Sequence, residues 1–262
     1  MRHFIFLTFS LVLLFACKKE DPIYPVLKIR LNITKTTILI GGSEQLSVIE
    51  LLPPEATEKG IIWSSDNTAL ATVDATGMVS VPATATEGVV NITITPKDGS
   101  SLTDTCVIAV VSALEIGHAY QGGIIAYIDE TGMHGFIAAP TNLDKYLRGI
   151  AWGNSGIETG ATGIEIGTGK SNTKKIVQAL GAEDSAAKRC DDLVFNGYSD
   201  WFLPSRDELR ALFRNDILGY GKPYWTSTDH DVNNAWYDMY FDYSWGIAYK
   251  GYTLEVCAIR YF

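Results

Sequence analysis

Apolar and polar positions alternate along residues 27–111 in short runs. These are Leu27–Ile33, Gln45–Leu51, Gly60–Ser64, Leu70–Asp74, Met78–Val81, Val89–Thr95 and Thr105–Val111. Turn residues stand between them: Gly41-Gly42, Pro53-Pro54, Thr76-Gly77 and Asp98-Gly99. A period of two puts every second side chain on one face, so each run predicts a half-buried strand. Seven short strands in succession predict an all-β, two-sheet sandwich over 27–111, with Trp63 between the sheets.

The rest of the chain has a different texture and predicts an α+β domain over 113–262. Two helical stretches are visible: in the first, Thr173–Leu180 is followed by Ser185–Phe195, with Ala186, Cys190, Leu193 and Val194 on one face and Gly197 as its stop. The second opens after Leu203-Pro204. There Ser205-Arg-Asp-Glu208 forms a capping box, in which the Ser hydroxyl accepts from a backbone N–H and the Glu carboxylate reaches back. Leu209, Leu212 and Phe213 supply its apolar stripe. Beyond Gly221 the pattern is strand-like, and nearly half of the aromatic side chains lie in 220–262.

An apolar run from Phe4 follows Arg2 and His3 and ends in Leu14-Phe15-Ala16-Cys17. It is too short to span a bilayer and is bounded like a secretory signal. A small residue before a lone Cys resembles a bacterial lipobox, which implies cleavage before Cys17 and a diacylglycerol on its thiol. Residues 1–16 are thus expected as a lipoprotein signal peptide. Residues 17–26, charged and proline-containing, are expected as the lipidated cysteine and its tether. Position 18 is Lys, not the Asp of an inner-membrane retention signal, so the expected place is the outer membrane, surface-exposed.

The chain carries 21 basic and 30 acidic side chains, a net charge of −9. That balance repels nucleic acid and anionic membrane surfaces, so no nucleic-acid partner is expected and membrane contact is left to the lipid. Cys106 lies in the strand-like first segment, whereas Cys190 and Cys257 share the second. In an oxidising compartment those two are the expected disulfide, with three free buried thiols as the alternative.

Two resemblances follow from longer motifs. Gly42-Ser-Glu-Gln-Leu46, Pro53-Pro-Glu-Ala-Thr57, Ile62-Trp-Ser-Ser-Asp-Asn67, Ala71-Thr-Val-Asp74 and Gly77-Met-Val79 occur in the order of the bacterial Ig-like domain, group 2, which the segment resembles. That resemblance implies a stalk or adhesive module. Gly122–Tyr127, His134–Ala139, Ala151-Trp-Gly153, Cys190–Leu193, Gly197–Leu209, Tyr224–Thr228 and Cys257–Arg260 resemble the C-terminal domain of the Legionella collagen-like adhesin. The Leu-Pro-Ser-x-x-Glu-Leu, Trp-Thr-Ser and terminal Arg pattern is also similar to the C-type-lectin-like fold of formylglycine-generating enzymes, an analogy of fold only.

Candidate chemistry is sparse. Gly153–Gly169 is rich in Gly and Thr and is expected as a mobile or binding loop. Its Gly167-Thr-Gly-Lys-Ser171 end has Ile164 where a P-loop needs its first glycine. Asp229-His-Asp231-Val-Asn233 offers three oxygen-ligand positions of a calcium loop, but Asn234 replaces the glycine and Tyr240 the bidentate Glu. An EF-hand is excluded, and the choice is between an irregular calcium site and a plain polar hairpin tip. His118, His134 and His230 are too scattered for zinc, Glu208 reads as a cap, and neither a metal nor a cofactor is expected.

Trp225, Asp229, Asn233, Asn234, Trp236 and Trp245 are the candidate ligand-binding residues. Sugar rings stack on aromatic faces, and their hydroxyls pair with such polar groups. The alternative is that these aromatics are the core of the sheet. The expected function is a non-enzymatic surface protein that binds a glycan or a protein. An enzyme on the formylglycine-generating fold and a structural envelope component are the alternatives. Because Lys174-Lys175 and Lys188-Arg189 are the longest basic runs of this segment, a neutral glycan or a protein surface is expected over a polyanion.

Overall fold

The computed structural model describes residues 22–140, 149–219, 221–239 and 245–262. Cys17 and the signal peptide lie outside the described residues, as does Tyr240. Nine strands fill the first segment: β1 (Lys28–Leu31), β2 (Lys35–Leu39), β3 (Ser43–Gln45), β4 (Val48–Leu52), β5 (Ile61–Ser65), β6 (Thr72–Val73), β7 (Met78–Ser80), β8 (Gly88–Pro96) and β9 (Asp104–Val111). One sheet runs β2-β9-β8-β5, another β3-β7-β6, and β1 pairs with β4. Val90, Ile92 and Ile94 alternate inward on β8, as do Cys106, Ile108 and Val110 on β9. They meet Leu31, Leu46 and Val79 in one cluster. Each such side chain contributes about 1.5–3 kcal/mol by leaving water.

Three points depart from the expectation here. The single strand expected over Gln45–Leu51 is two strands in different sheets. The chain crosses at Leu46-Ser47, where Asn32 and Ser47 exchange hydrogen bonds, Asn32 N to Ser47 O at 2.9 Å and Ser47 N to Asn32 Oδ1 at 2.8 Å. Strand β2, which the turn pattern does not announce, pairs in parallel with β9 over five residue pairs. Trp63 is half-buried at the edge strand β5 rather than enclosed between the sheets. Its ring lies under the turn at Gly77, where an added Cβ would stand 2.7 Å from Trp63 Cζ2 and 2.5 Å from Leu46 O. With φ at +86°, that turn requires glycine.

The second segment holds β10 (Ala119–Tyr120), β11 (Gly123–Ile128), β12 (Gly135–Ala138), β13 (Ile150–Ala151), α1 (Gly169–Leu180), α2 (Ala186–Asp191), α3 (Arg206–Arg214), β14 (Tyr224–Asp229), β15 (Asn234–Asp238), β16 (Gly246–Tyr249), β17 (Thr253–Leu254) and β18 (Ile259–Tyr261). Sheets β10-β11-β12-β18 and β14-β15-β16 are antiparallel and flank the helices. Helix α1 begins four residues before the expected Thr173. Helix α2 ends at Asp191, so Leu193 and Val194 leave its face, and Val194 is exposed. Gly197 instead closes a tight turn in which Phe195 and Tyr198 bridge. The capping box at Ser205–Glu208 is present as expected.

The expected Cys190–Cys257 disulfide is not formed: Cys106, Cys190 and Cys257 are all free and buried. Cys190 packs with Trp152 and Trp201, and Cys257 with Phe202 and Leu209, in two neighbouring clusters. Burial pushes the Cys257 and Cys106 thiols up to about 12 and raises Cys190 well above its ordinary value.

The two segments are fastened by polar contacts. Tyr198 Oη donates to Glu44 Oε1 at 2.6 Å, Asn32 Nδ2 to Asn196 O at 3.2 Å, and Gln121 N to Thr36 Oγ1 at 3.2 Å. The Arg260 guanidinium lies 4.0 Å over the Tyr198 ring and is held by Asp200 (2.7 Å) and Gln121 (3.0 Å). Burial raises the pKa of Glu44, against the lowering pull of the Tyr198 bond and of Arg260.

Trp201 is wholly enclosed, with its indole N–H on Tyr198 O at 3.2 Å. Trp201→Ala should cost about 3–5 kcal/mol; an unchanged denaturation midpoint would contradict this packing. Thiol counting checks the cysteines. Native protein should be inert to a thiol reagent near pH ~8, and denaturation without reductant should release Cys106, Cys190 and Cys257 together. Only one reactive thiol would establish a disulfide instead.

Candidate functional site

The residues singled out near the C-terminus divide between core and surface. Every residue of β14 is buried. Trp225 is fully enclosed, edge-on to Tyr237, and donates its indole N–H to Ile150 O at 3.0 Å. It is therefore a core residue and not a sugar platform. Asp229 is likewise buried. Its carboxylate meets Lys250 Nζ at 2.9 Å and accepts from Thr159 Oγ1 at 2.7 Å. Lys250 has no exposed surface; its ammonium also donates to Ile157 O at 3.0 Å and sits 4.6 Å from the Trp152 ring centroid.

This pair reshapes the calcium question. Asp229 points inward, whereas Asp231 stands at the exposed tip between β14 and β15 and accepts from Asn233 N (2.8 Å), Asn234 N (2.9 Å) and Asn234 Nδ2 (3.1 Å). Those bonds, the Asn234 side-chain bond first, hold the Asp231 carboxyl well below its usual range. The tip is a self-satisfied turn, and Asn233 and Asn234 serve it. Among the described residues, no group of three His, Cys, Asp or Glu is placed to hold a metal.

The Gly/Thr segment 153–168 is tied down rather than loose. Ile157 O and Thr159 belong to the Lys250–Asp229 centre, and Asp229 N donates to Ala161 O at 2.8 Å. Gly163 O accepts from Asn172 Nδ2 (2.7 Å) and Thr228 Oγ1 (2.8 Å). Gly167 N donates to Glu208 Oε1 at 2.8 Å. Glu208 is fully buried and also takes the Ser205 N–H at 2.8 Å and the Tyr261 hydroxyl. Burial raises its pKa, while those donors oppose the rise. Gly169 must be glycine for another reason: a Cβ there would lie 2.2 Å from Glu208 Oε2. Lys170, the lysine of the P-loop-like stretch, faces Asp200 at 3.8 Å.

What reaches the surface is the outward face of β15 and β16. Asn234 pairs with Tyr249, and Trp236 with Ile247, so these four side chains share one side of the sheet. Ile247 and Tyr249 are exposed, and Tyr249 Oη bonds Ser155 Oγ at 2.8 Å. Trp236 and Trp245 are half-buried because two arginines cover them. The Arg206 guanidinium lies 4.2 Å from the Trp236 ring centroid and 4.5 Å from that of Trp245, and Arg210 lies 4.0 Å from Trp245. Arg210 also meets Asp238 at 3.7 Å. The sequence reading missed both arginines, because they belong to α3, some thirty residues upstream of the tryptophans. Only their one-turn spacing beside an aromatic-rich strand hinted at them.

Comparison with known proteins bears on the first segment. Residues 25–106 match the bacterial Ig-like domain, group 2, and form a domain of that kind. An uncharacterized protein of Clostridium acetobutylicum is 36% identical over 81 residues, which is 31% of this chain and 19% of that protein. A second uncharacterized protein of the same organism is 30% identical over 82 residues, 8% of its length. The chain thus spans less than a fifth of these relatives. Among solved structures, a fimbrial protein from Bacteroides ovatus aligns over 88% of this chain and 70% of its own at 12% identity and a TM-score of 0.39. Domains 4 and 5 of the S-layer protein SbsC align over 33% of this chain and 46% of theirs at 21% identity and a TM-score of 0.26.

Lys250→Ala would strand the Asp229 carboxylate in the interior. Removing one partner of a buried ion pair costs about 3–5 kcal/mol, and segment 153–168 should lose its hydrogen-exchange protection with it. Unchanged stability and protection would show that the pair does not hold that segment.

Proposed function

We propose that this chain is a lipid-anchored, surface-exposed, non-enzymatic binding protein of the outer membrane. The Ig-like domain spaces the second segment from the membrane. The second segment, a lectin-like α+β domain of the collagen-like-adhesin type over 113–262, contacts a glycan or a protein. The observation that carries this reading is the outward face of Asn234, Trp236, Ile247 and Tyr249, which joins aromatic, amide and hydroxyl groups at an exposed position. Such a set recognises; it holds no nucleophile paired with a base. The enzyme alternative needs reactive cysteines, and the buried, high-pKa Cys190 and Cys257 run against it. The lipobox supports the anchor, and among the described residues no helix is long and apolar enough to cross a membrane.

Two measurements test this. On an array of glycans and matrix proteins, the mature chain should bind, and Trp236→Ala should abolish the signal while leaving the melting temperature within a few degrees. Binding that survives Trp236→Ala would move the site elsewhere. Cys17→Ser should shift the protein from the membrane fraction to the soluble one, since a lipid on Cys17 is the anchor in this reading. A variant that still sediments with membranes after a high-salt wash would overturn the anchor.

A further inference from the structure

We propose that Arg206, clasped between Trp236 and Trp245, is the carboxylate receptor of a subsite for a uronate-bearing glycan. This deepens the binding-protein reading above and rests on it. Arg206 is the first residue of α3, where the helix dipole disfavours a cation. Its Nε is buried with no hydrogen-bond partner. Its guanidinium makes no ion pair and no hydrogen bond with any described residue. Asp238, the buried carboxylate nearby, is engaged by Arg210. Folding alone therefore gives this side chain a poor place. The cation–π contact of its guanidinium with two indoles offsets that and holds the group in place. A planar group so held presents its N–H edge as a ready fork, the geometry that grips a carboxylate through two parallel bonds.

The surroundings point to a sugar as the carrier of that carboxylate. Trp236 continues into the outward face it shares with Asn234, Ile247 and Tyr249, whose aromatic and hydrogen-bonding groups suit a pyranose ring. On the other side, Arg210 lines an open groove of about 670 Å³ floored by Tyr127 and Ile166. Arg214 stands at that groove with Glu165 and Asp207, so its charges balance and selectivity for an acid resides in the arginine–tryptophan stack. The neutral ligand expected from the sequence is revised accordingly: screening removes the distant charges of the net negative chain within about 8 Å at physiological salt, so at contact distance the unpaired Arg206 guanidinium decides.

The test uses trigalacturonate, with its fully methyl-esterified form as the uncharged counterpart, titrated by calorimetry and tryptophan emission into the mature chain carrying Cys17→Ser. The acid should bind at least about tenfold more tightly than the ester, a difference that one bidentate pair supplies. Arg206→Gln should bring the acid down to the affinity of the ester and leave the ester unchanged. Arg206→Lys, which keeps the charge without the fork, should fall between; melting curves confirm that each variant is folded. Equal binding of acid and ester, or undiminished acid binding by folded Arg206→Gln, overturns the proposal. If trigalacturonate fails while another glycan or a protein binds in a Trp236-dependent manner, the uronate subsite falls and the binding-protein reading stands. If nothing binds, both fall.

Discussion

A buried ammonium has to be met by a buried anion, and the second segment is arranged so that Lys250 is. An uncompensated charge at that depth would cost several kcal/mol, more than most single packing contacts return. The answer draws on three parts of the chain. Asp229 ends β14, Thr159 and Ile157 come from the Gly/Thr segment, and Trp152 offers its ring face just after β13. Satisfying one cation therefore fixes where a long irregular segment runs. Glu208 works the same way from the opposite sign: its three donors come from the Gly167 backbone, the Ser205 backbone and the last strand. Between them, these two ions turn a segment with few apolar side chains into ordered structure.

Those features mark the limit of what the sequence shows. The sandwich strands were legible because alternation is local, and Val90, Ile92 and Ile94 announce an inward face wherever the partner strand lies. The capping box was legible because Ser205 and Glu208 are three residues apart. Strand β2 was not, since its Thr-rich stretch becomes a strand only when β9 arrives from some seventy residues away. Trp225 and Trp236 look alike in sequence, yet one is core and the other surface. A register shift between β14 and β15, from Trp225 to Asp229, and the burial of both faces of β14 decide which is which. The looseness expected of 153–168 failed for a related reason: glycine content describes freedom in the unfolded chain, whereas Asn172, Thr228 and Asp229 supply the bonds that remove it.

The candidate site shows how cationic side chains can change an aromatic surface. Bare tryptophans would favour any flat apolar ligand. With Arg206 and Arg210 stacked on them, the same rings become walls that orient donors. In the proposed binding role, recognition would rest on a plane and a charge together, which narrows the range of partners more than area alone would.

The parallel pairing of β2 with β9 has a mechanical meaning. A chain held at its N-terminal end and drawn by a ligand at its C-terminal segment is pulled at the start of β2 and at the end of β9. Because the two strands point the same way, that load runs along them in opposite senses and strains all five residue pairs at once, where a hairpin pulled from its open end would yield one bond after another. Resistance to such a pull is a rate of rupture and not an equilibrium quantity. The fastening of Tyr198 to Glu44 and of Arg260 over Tyr198 carries the same load between the segments, so tension meets a continuous body instead of a hinge.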